Sequence, residues 1–156
     1  MSVQVGQQAP AFSLYDSEKK QVSLEDFKGK NVVLLFFPQA FTGTCTKELC
    51  STRDNIALYD QVNAQVLGIS VDSIFTLARY KDDQQLNFPL LSDFNKETST
   101  AYGSLYDLFK FDMKGVSKRS AFVIDKLGII RYAEVLENAT DLPDFTQIQK
   151  TLSELN

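Results

Sequence analysis

A chain of 156 residues, 44% hydrophobic and 12% aromatic, suffices for one ordinary domain, residues 1–156, with a packed core. Its net charge of −4 carries no basic footprint for nucleic acid or anionic lipid. With two Cys and no His, it excludes Ser-His and Cys-His catalysis, His-ligated metals and a closed N/S zinc site, leaving Cys, Lys, Thr or a carboxylate for covalent chemistry.

The first residues, Met1 to Gly6, lack a basic segment followed by an apolar one, so no secretory signal is read. No apolar run approaches the ~20 residues that span a bilayer. A cytoplasmic protein is expected, with no membrane or nucleic-acid partner.

Phe12–Tyr15 and Lys20–Val22 flank a polar turn and predict a β-hairpin. Ser23 to Phe27 predicts a short capped turn, with Asp26 three residues after Ser23. Asn31–Phe37 (NVVLLFF) is an apolar run of strand length, suited to a central strand covered on both faces and ended by Pro38. From Cys45 to about Val62 a helical period appears, with Cys45, Leu49, Thr52, Ile56 and Tyr59 along one stripe. Gln65–Val71 predicts a second buried strand, and Asp72 or Ser73 caps a helix to about Gln85. A short strand at Phe88–Leu91 and a short helix at Lys96–Tyr102 follow. Residues Gly103 to Gly115 are the least regular. Ser120–Ile124 and Ile129–Val135 form a second hairpin around Asp125–Gly128, and Asp144–Leu155 closes the chain as a helix. This order predicts an α/β domain, a mixed sheet with helices on both faces, as in a thioredoxin-like fold.

Ligands of open α/β sheets bind beyond the carboxyl ends of the strands. The loop Pro38–Thr44 leaves such an end, and Cys45 follows in the first helical turn. Unpaired amides and the helix dipole favour an anion there. A thiol so placed, beside a cation, can ionise at a pKa of ~3.5–7.5 instead of ~8.5. The sulfur is therefore expected as an exposed, stabilised thiolate, with the Thr42 hydroxyl one step before it as a donor or acceptor.

Pro38-x-x-x-Thr42-x-x-Cys45 resembles the active-site motif of the peroxiredoxins. The wider strings PQAFTGTCTKELCSTRDN, FPLLSDF, KRSAFVID and GIIRYAE are similar to its alkyl hydroperoxide reductase E and bacterioferritin-comigratory branches. The resemblance implies a thiol-dependent peroxidase that reduces hydrogen peroxide and organic hydroperoxides without a cofactor. It implies that Cys45 is the nucleophile, oxidised to a sulfenic acid. Thr42 positions the peroxide, Pro38 shields the site from water, Arg119 is the active-site cation and Glu48 orients the polar network. Lys118 competes with Arg119 as the inward cation, and Glu48 is also favourable at a helix start for dipole reasons alone. Ala121 departs from the family, where many members carry Thr.

Cys50 lies at the spacing of the resolving Cys of the bacterioferritin-comigratory branch. On a helix that offset is ~140° around and ~7.5 Å along the axis, too far for a disulfide, which needs Cα atoms within ~7 Å. Resolution then requires the first turns to unwind. A single-Cys enzyme with a structural Cys50 is the alternative. A disulfide oxidoreductase would carry Cys-x-x-Cys, and a non-catalytic binding module would need no reactive thiol. The resemblance further implies thioredoxin or a glutaredoxin-like protein as reductant. It also implies homodimer pairing through the active-site face, for which Phe41, Phe75, Tyr80 and Phe94 read either as an apolar patch or as ordinary core.

Overall fold

The computed structural model describes residues 3–155. Strands β1 (Ser13–Asp16) and β2 (Gln21–Ser23) form the first hairpin. A 3-10 turn, Leu24–Phe27, follows, and Asp26 accepts the Ser23 N–H at 3.0 Å. The remaining elements are β3 (Asn31–Phe36), α1 (Gly43–Asp54), α2 (Ile56–Gln61), β4 (Ala64–Ser70), α3 (Ile74–Gln84), β5 (Leu90–Ser92), α4 (Glu97–Ala101), a second 3-10 turn (Lys110–Asp112), β6 (Ser120–Ile124), β7 (Ile130–Val135) and α5 (Phe145–Glu154). The seven strands form one sheet in the order β2-β1-β5-β4-β3-β6-β7. β3 is parallel to β4 and antiparallel to β6, so the sheet is mixed. With its flanking helices, this is the expected thioredoxin-like arrangement.

The apolar run of β3 has a physical reason in the two cores it separates. Val33, Leu35 and Phe37 face a cluster with Leu49 of α1, Leu77 and Tyr80 of α3, and Ile148 and Leu152 of α5. Val32, Leu34 and Phe36 face the opposite cluster, closed by Ala9, Phe12 and Tyr102. Every residue of β3 is buried, as a strand covered on both sides must be.

Three local expectations change. The helix predicted from Cys45 to Val62 breaks at Asn55. The Asn55 side-chain amide donates to the Ser51 carbonyl at 2.9 Å, satisfying an acceptor that a continuing helix would use. The strand predicted from Phe88 starts instead at Leu90, because Phe88 turns into the core and Pro89 has no N–H to give a ladder. Tyr80 is fully buried, so it belongs to the core and not to a surface patch. Phe41, Phe75 and Phe94 are exposed.

Candidate active site

The Phe37 N–H still reaches the Ile69 carbonyl of β4, at 3.0 Å. Pro38 has no N–H and ends the ladder. The chain turns through Gln39, Ala40 and Phe41, whose φ of +67° is a strained conformation for an aromatic residue. Thr42 is extended and precedes the first helical residue, Gly43. It does not cap α1 with its side chain; its hydroxyl donates to the Gln39 carbonyl at 2.8 Å. The first helical bond runs from the Thr46 N–H to the Thr42 carbonyl, so the amides of Gly43, Thr44 and Cys45 precede the ladder and point toward the loop end.

Cys45 is 1% exposed, which corrects the expectation of an exposed sulfur. Its helical turn packs into the core, and Cys45 lines a cleft of about 280 Å³. Pro38, Thr42, Arg119, Phe109 and Met113 are among the cleft's other lining residues. Burial here does not mean an apolar setting. Arg119 Nη2 donates to Cys45 Sγ at 3.3 Å, and Nη1 donates to Glu48 Oε1 at 2.7 Å. Nε and Nη2 both donate to the Ala139 carbonyl, at 3.0 and 2.8 Å. The fork geometry of a guanidinium suits these three acceptors at once.

Arg119 stands directly before β6 and is 1% exposed. Lys118 points the other way, to Glu137 at 2.7 Å, so Arg119 is the inward cation. Glu48 lies three residues after Cys45, on the same face of α1, and is fully buried. Burial pushes its carboxyl up to about 7, against the opposing pull of the Arg119 charge and hydrogen bond. Among the described residues, Glu48 Oε2 is buried without a hydrogen-bond partner. Burial works against the charge of Arg119, but the neighbouring Glu48 and Cys45 outweigh it and hold its pKa above the ordinary value. The guanidinium is therefore a fixed positive charge.

Cys50 lies on the same unbroken helix as Cys45; both thiols are free, and Cys50 Sγ donates to Gln84 Oε1 at 3.4 Å. A larger cleft, about 810 Å³, lies along β1 and the start of α3, with Phe75 and Phe94 in its lining and no Cys. Among the described residues no group of three His, Cys, Asp or Glu is arranged to hold a metal, and no helix is long and apolar enough to cross a membrane.

The sequence motif brings Pro38, Thr42, Cys45, Glu48 and Arg119 to one place. It does not announce Ala139, which contributes only a carbonyl, or the wall formed by Phe109 and Met113. Backbone acceptors leave no side-chain signal, and residues 103–115 lack a period from which facing could be read.

The AhpC/TSA family model matches residues 5–133. Alkyl hydroperoxide reductase E of Mycobacterium bovis is 40% identical over 134 residues, covering 84% of each chain. Peroxiredoxin-2 of Bos taurus is 37% identical, covering 95% of this chain and 75% of its own. Among solved structures, peroxidoxin BcpB of Mycobacterium tuberculosis superposes with a TM-score of 0.87 at 27% identity, covering 98% of both chains. With a family model over most of its length and a buried cysteine paired to a guanidinium, the chain belongs to the AhpC/TSA family, the peroxiredoxins, and is a thiol-dependent peroxidase.

Proposed function

We propose that Cys45 carries the peroxidase reaction, attacking the distal oxygen of hydrogen peroxide or an organic hydroperoxide as a thiolate. A sulfur–oxygen bond forms, the O–O bond breaks, and the leaving oxygen takes a proton to depart as water or an alcohol. Cys45 is left as a sulfenic acid. The observation that carries this reading is the 3.3 Å contact from Arg119 Nη2 to Cys45 Sγ. A guanidinium there favours the anion on sulfur and remains within reach of the oxygens as charge moves onto them. The Thr42 hydroxyl donates to the Gln39 carbonyl, so its oxygen lone pairs are left to accept a hydrogen bond from the hydroperoxide O–H. Pro38 is buried beside the cleft and offers no N–H to hold water there. Glu48 anchors the far side of the guanidinium. Phe109, Phe111 and Met113 give the cleft an apolar wall, which supports organic hydroperoxides as well as hydrogen peroxide.

Cys50 then attacks the sulfenic acid, releasing water and forming a disulfide that thioredoxin or a similar thiol donor reduces. Because α1 is continuous through both positions, this step requires its first turns to unwind. The Cys50–Gln84 hydrogen bond favours the second reading, a single-Cys enzyme with Cys50 held structurally. Mass spectrometry after one equivalent of peroxide separates the two. A Cys45–Cys50 disulfide supports resolution; a persistent sulfenic acid trapped by dimedone supports the single-Cys enzyme. A Cys45→Ser variant that consumes peroxide at the wild-type rate overturns both. The exposed aromatics Phe41, Phe75 and Phe94, the last two in the lining of the larger cleft, support a homodimer, which sedimentation tests.

A further inference from the structure

The loop that presents Thr42 and opens onto Cys45 is short of anchors. Its strand ladder stops at Phe37 and its helix begins at Gly43. Between them, among the described residues, one hydrogen bond ties the loop backbone to β4 and its outgoing turn: the Ala40 N–H donates to Asp72 Oδ2 at 2.9 Å. The same oxygen accepts the Ser70 hydroxyl at 2.7 Å. Asp72 is itself pinned, since its N–H donates to Ser70 Oγ at 3.2 Å and its carbonyl accepts the Ser92 hydroxyl at 2.6 Å. One carboxylate thus joins the ends of β4 and β5 to the loop leaving β3.

We infer that Asp72 is a positioning residue for peroxide cleavage, acting through the Ala40 amide on Thr42. Ala40 lies between Gln39, whose carbonyl holds the Thr42 hydroxyl, and Phe41, whose backbone is strained. Releasing the Ala40 amide lets this strained turn relax, and the Gln39 carbonyl moves with it. The Thr42 oxygen then loses its aim, whereas Arg119 and Cys45, held by β6, Ala139 and α1, keep theirs. Asp72 therefore serves the peroxide side of the reaction and not the sulfur side. This inference rests on the reading of Cys45 and Thr42 given above.

The two hydrogen bonds from Ala40 and Ser70 converge on a single oxygen, so an amide oxygen can replace it. Asp72→Asn keeps both bonds with its Oδ1; Asp72→Ala keeps neither. The test compares wild type, Asp72→Ala and Asp72→Asn in two reactions at pH 7: peroxide kcat/KM and the rate of Cys45 alkylation by iodoacetamide, which needs the thiolate but no group that orients a peroxide. Asp72→Ala is expected to lose tenfold to a hundredfold in kcat/KM, the size of effect expected when a group that positions the substrate is misplaced. Its alkylation rate stays within twofold of wild type, and Asp72→Asn recovers kcat/KM to within threefold. If Asp72→Ala keeps kcat/KM within twofold, loses both reactivities in parallel, or is not rescued by Asn, the inference is wrong. Failure of the Cys45 reading itself would appear separately, as peroxide turnover surviving in Cys45→Ser.

Discussion

The hydroxyls of Thr46 and Tyr80 stand 2.9 Å apart across the seam between α1 and α3. Tyr80 is fully buried, and burial, against the Thr46 hydrogen bond, pushes its phenol up to about 12. It is thus a neutral hydrogen-bonding group throughout the working pH range. Further along the same seam Cys50 Sγ meets Gln84 Oε1, and Arg53 Nη1 donates to the Gln84 carbonyl at 2.5 Å. Thr46, Cys50 and Arg53 recur at four and three residues, and Tyr80 and Gln84 at four, so two helical stripes meet along their length. On the reading in which Cys50 resolves the Cys45 sulfenic acid, this seam must part before the two sulfurs meet.

Tyr80→Phe keeps the ring in the core and removes one side of the seam's first bond. A buried hydrogen bond contributes about 1 kcal/mol net, so opening of the first turns becomes about fivefold easier. Disulfide formation after a single peroxide pulse, followed by rapid quench and mass spectrometry, is expected to accelerate by that factor, with the sulfenic acid forming at the wild-type rate. An unchanged disulfide rate would mean that opening is limited elsewhere.

Arg119→Lys tests whether charge alone suffices. A lysine ammonium keeps the positive charge but cannot reach Cys45, Glu48 and the Ala139 carbonyl with the fixed fork of the guanidinium. Peroxide kcat/KM is expected to fall about a hundredfold or more, the usual loss when a donor to developing charge is removed. Alkylation of Cys45 falls less, because it involves no O–O cleavage. Steady-state kinetics beside an iodoacetamide assay reads both; equal losses would assign Arg119 to the sulfur alone.

Glu48 gives a pH dependence with a definite sign. Its carboxyl titrates near 7 in the fold, instead of its ordinary 4.5, chiefly because it is buried. The folded state therefore holds this proton to higher pH than the unfolded chain does. The associated stability is fully present below about 4.5 and is lost as pH rises through about 7. Glu48→Gln removes that titration. Wild-type stability, relative to the variant, is expected to fall from pH 4.5 to pH 7, by at most about 3 kcal/mol at 1.36 kcal/mol per pKa unit. Urea unfolding of both proteins at several pH values measures it. A difference that stays constant, or grows with pH, would show that Glu48 is ionised across the range.

Much of this was legible in the residues because each signal was local. The unbroken apolar run of Asn31–Phe37 could only suit a strand with two covered faces, and the Pro38, Thr42 and Cys45 spacing fixed where the loop and helix meet. Arg119 was ambiguous with Lys118, since adjacent residues before a strand point to opposite sides and no residue count says which side is inward. The burial of Cys45 is not legible in the sequence, because a helix-start position speaks to charge and not to depth. Tyr80 is ambiguous in the sequence for a related reason. Its hydroxyl partner, Thr46, is 34 residues away in sequence, and an aromatic residue on an amphipathic helix reads alike as core or patch. Asp72 and Ser73 read alike as the cap of α3; Ser73 takes that role, accepting the Thr76 N–H, and the Asp72 carboxylate is left for Ala40.

The apolar wall of the cleft leads to a prediction about substrate choice. Phe111 is 92% exposed, lines the same cleft as Cys45, and is held at a φ of +57°, a conformation that costs a bulky residue about 1–3 kcal/mol. Asn tolerates this backbone conformation far better than most residues. Phe111→Asn therefore keeps the turn and removes only the ring. Covering part of an exposed ring with an alkyl or aryl group is worth about 1 kcal/mol at roughly 25 cal/mol per Å². kcat/KM for cumene hydroperoxide is expected to drop about fivefold in the variant, and that for hydrogen peroxide, too small to touch the ring, to stay within twofold. Parallel assays with the two peroxides decide the matter. Equal losses would implicate the turn's conformation, and no loss would leave the organic group lying elsewhere.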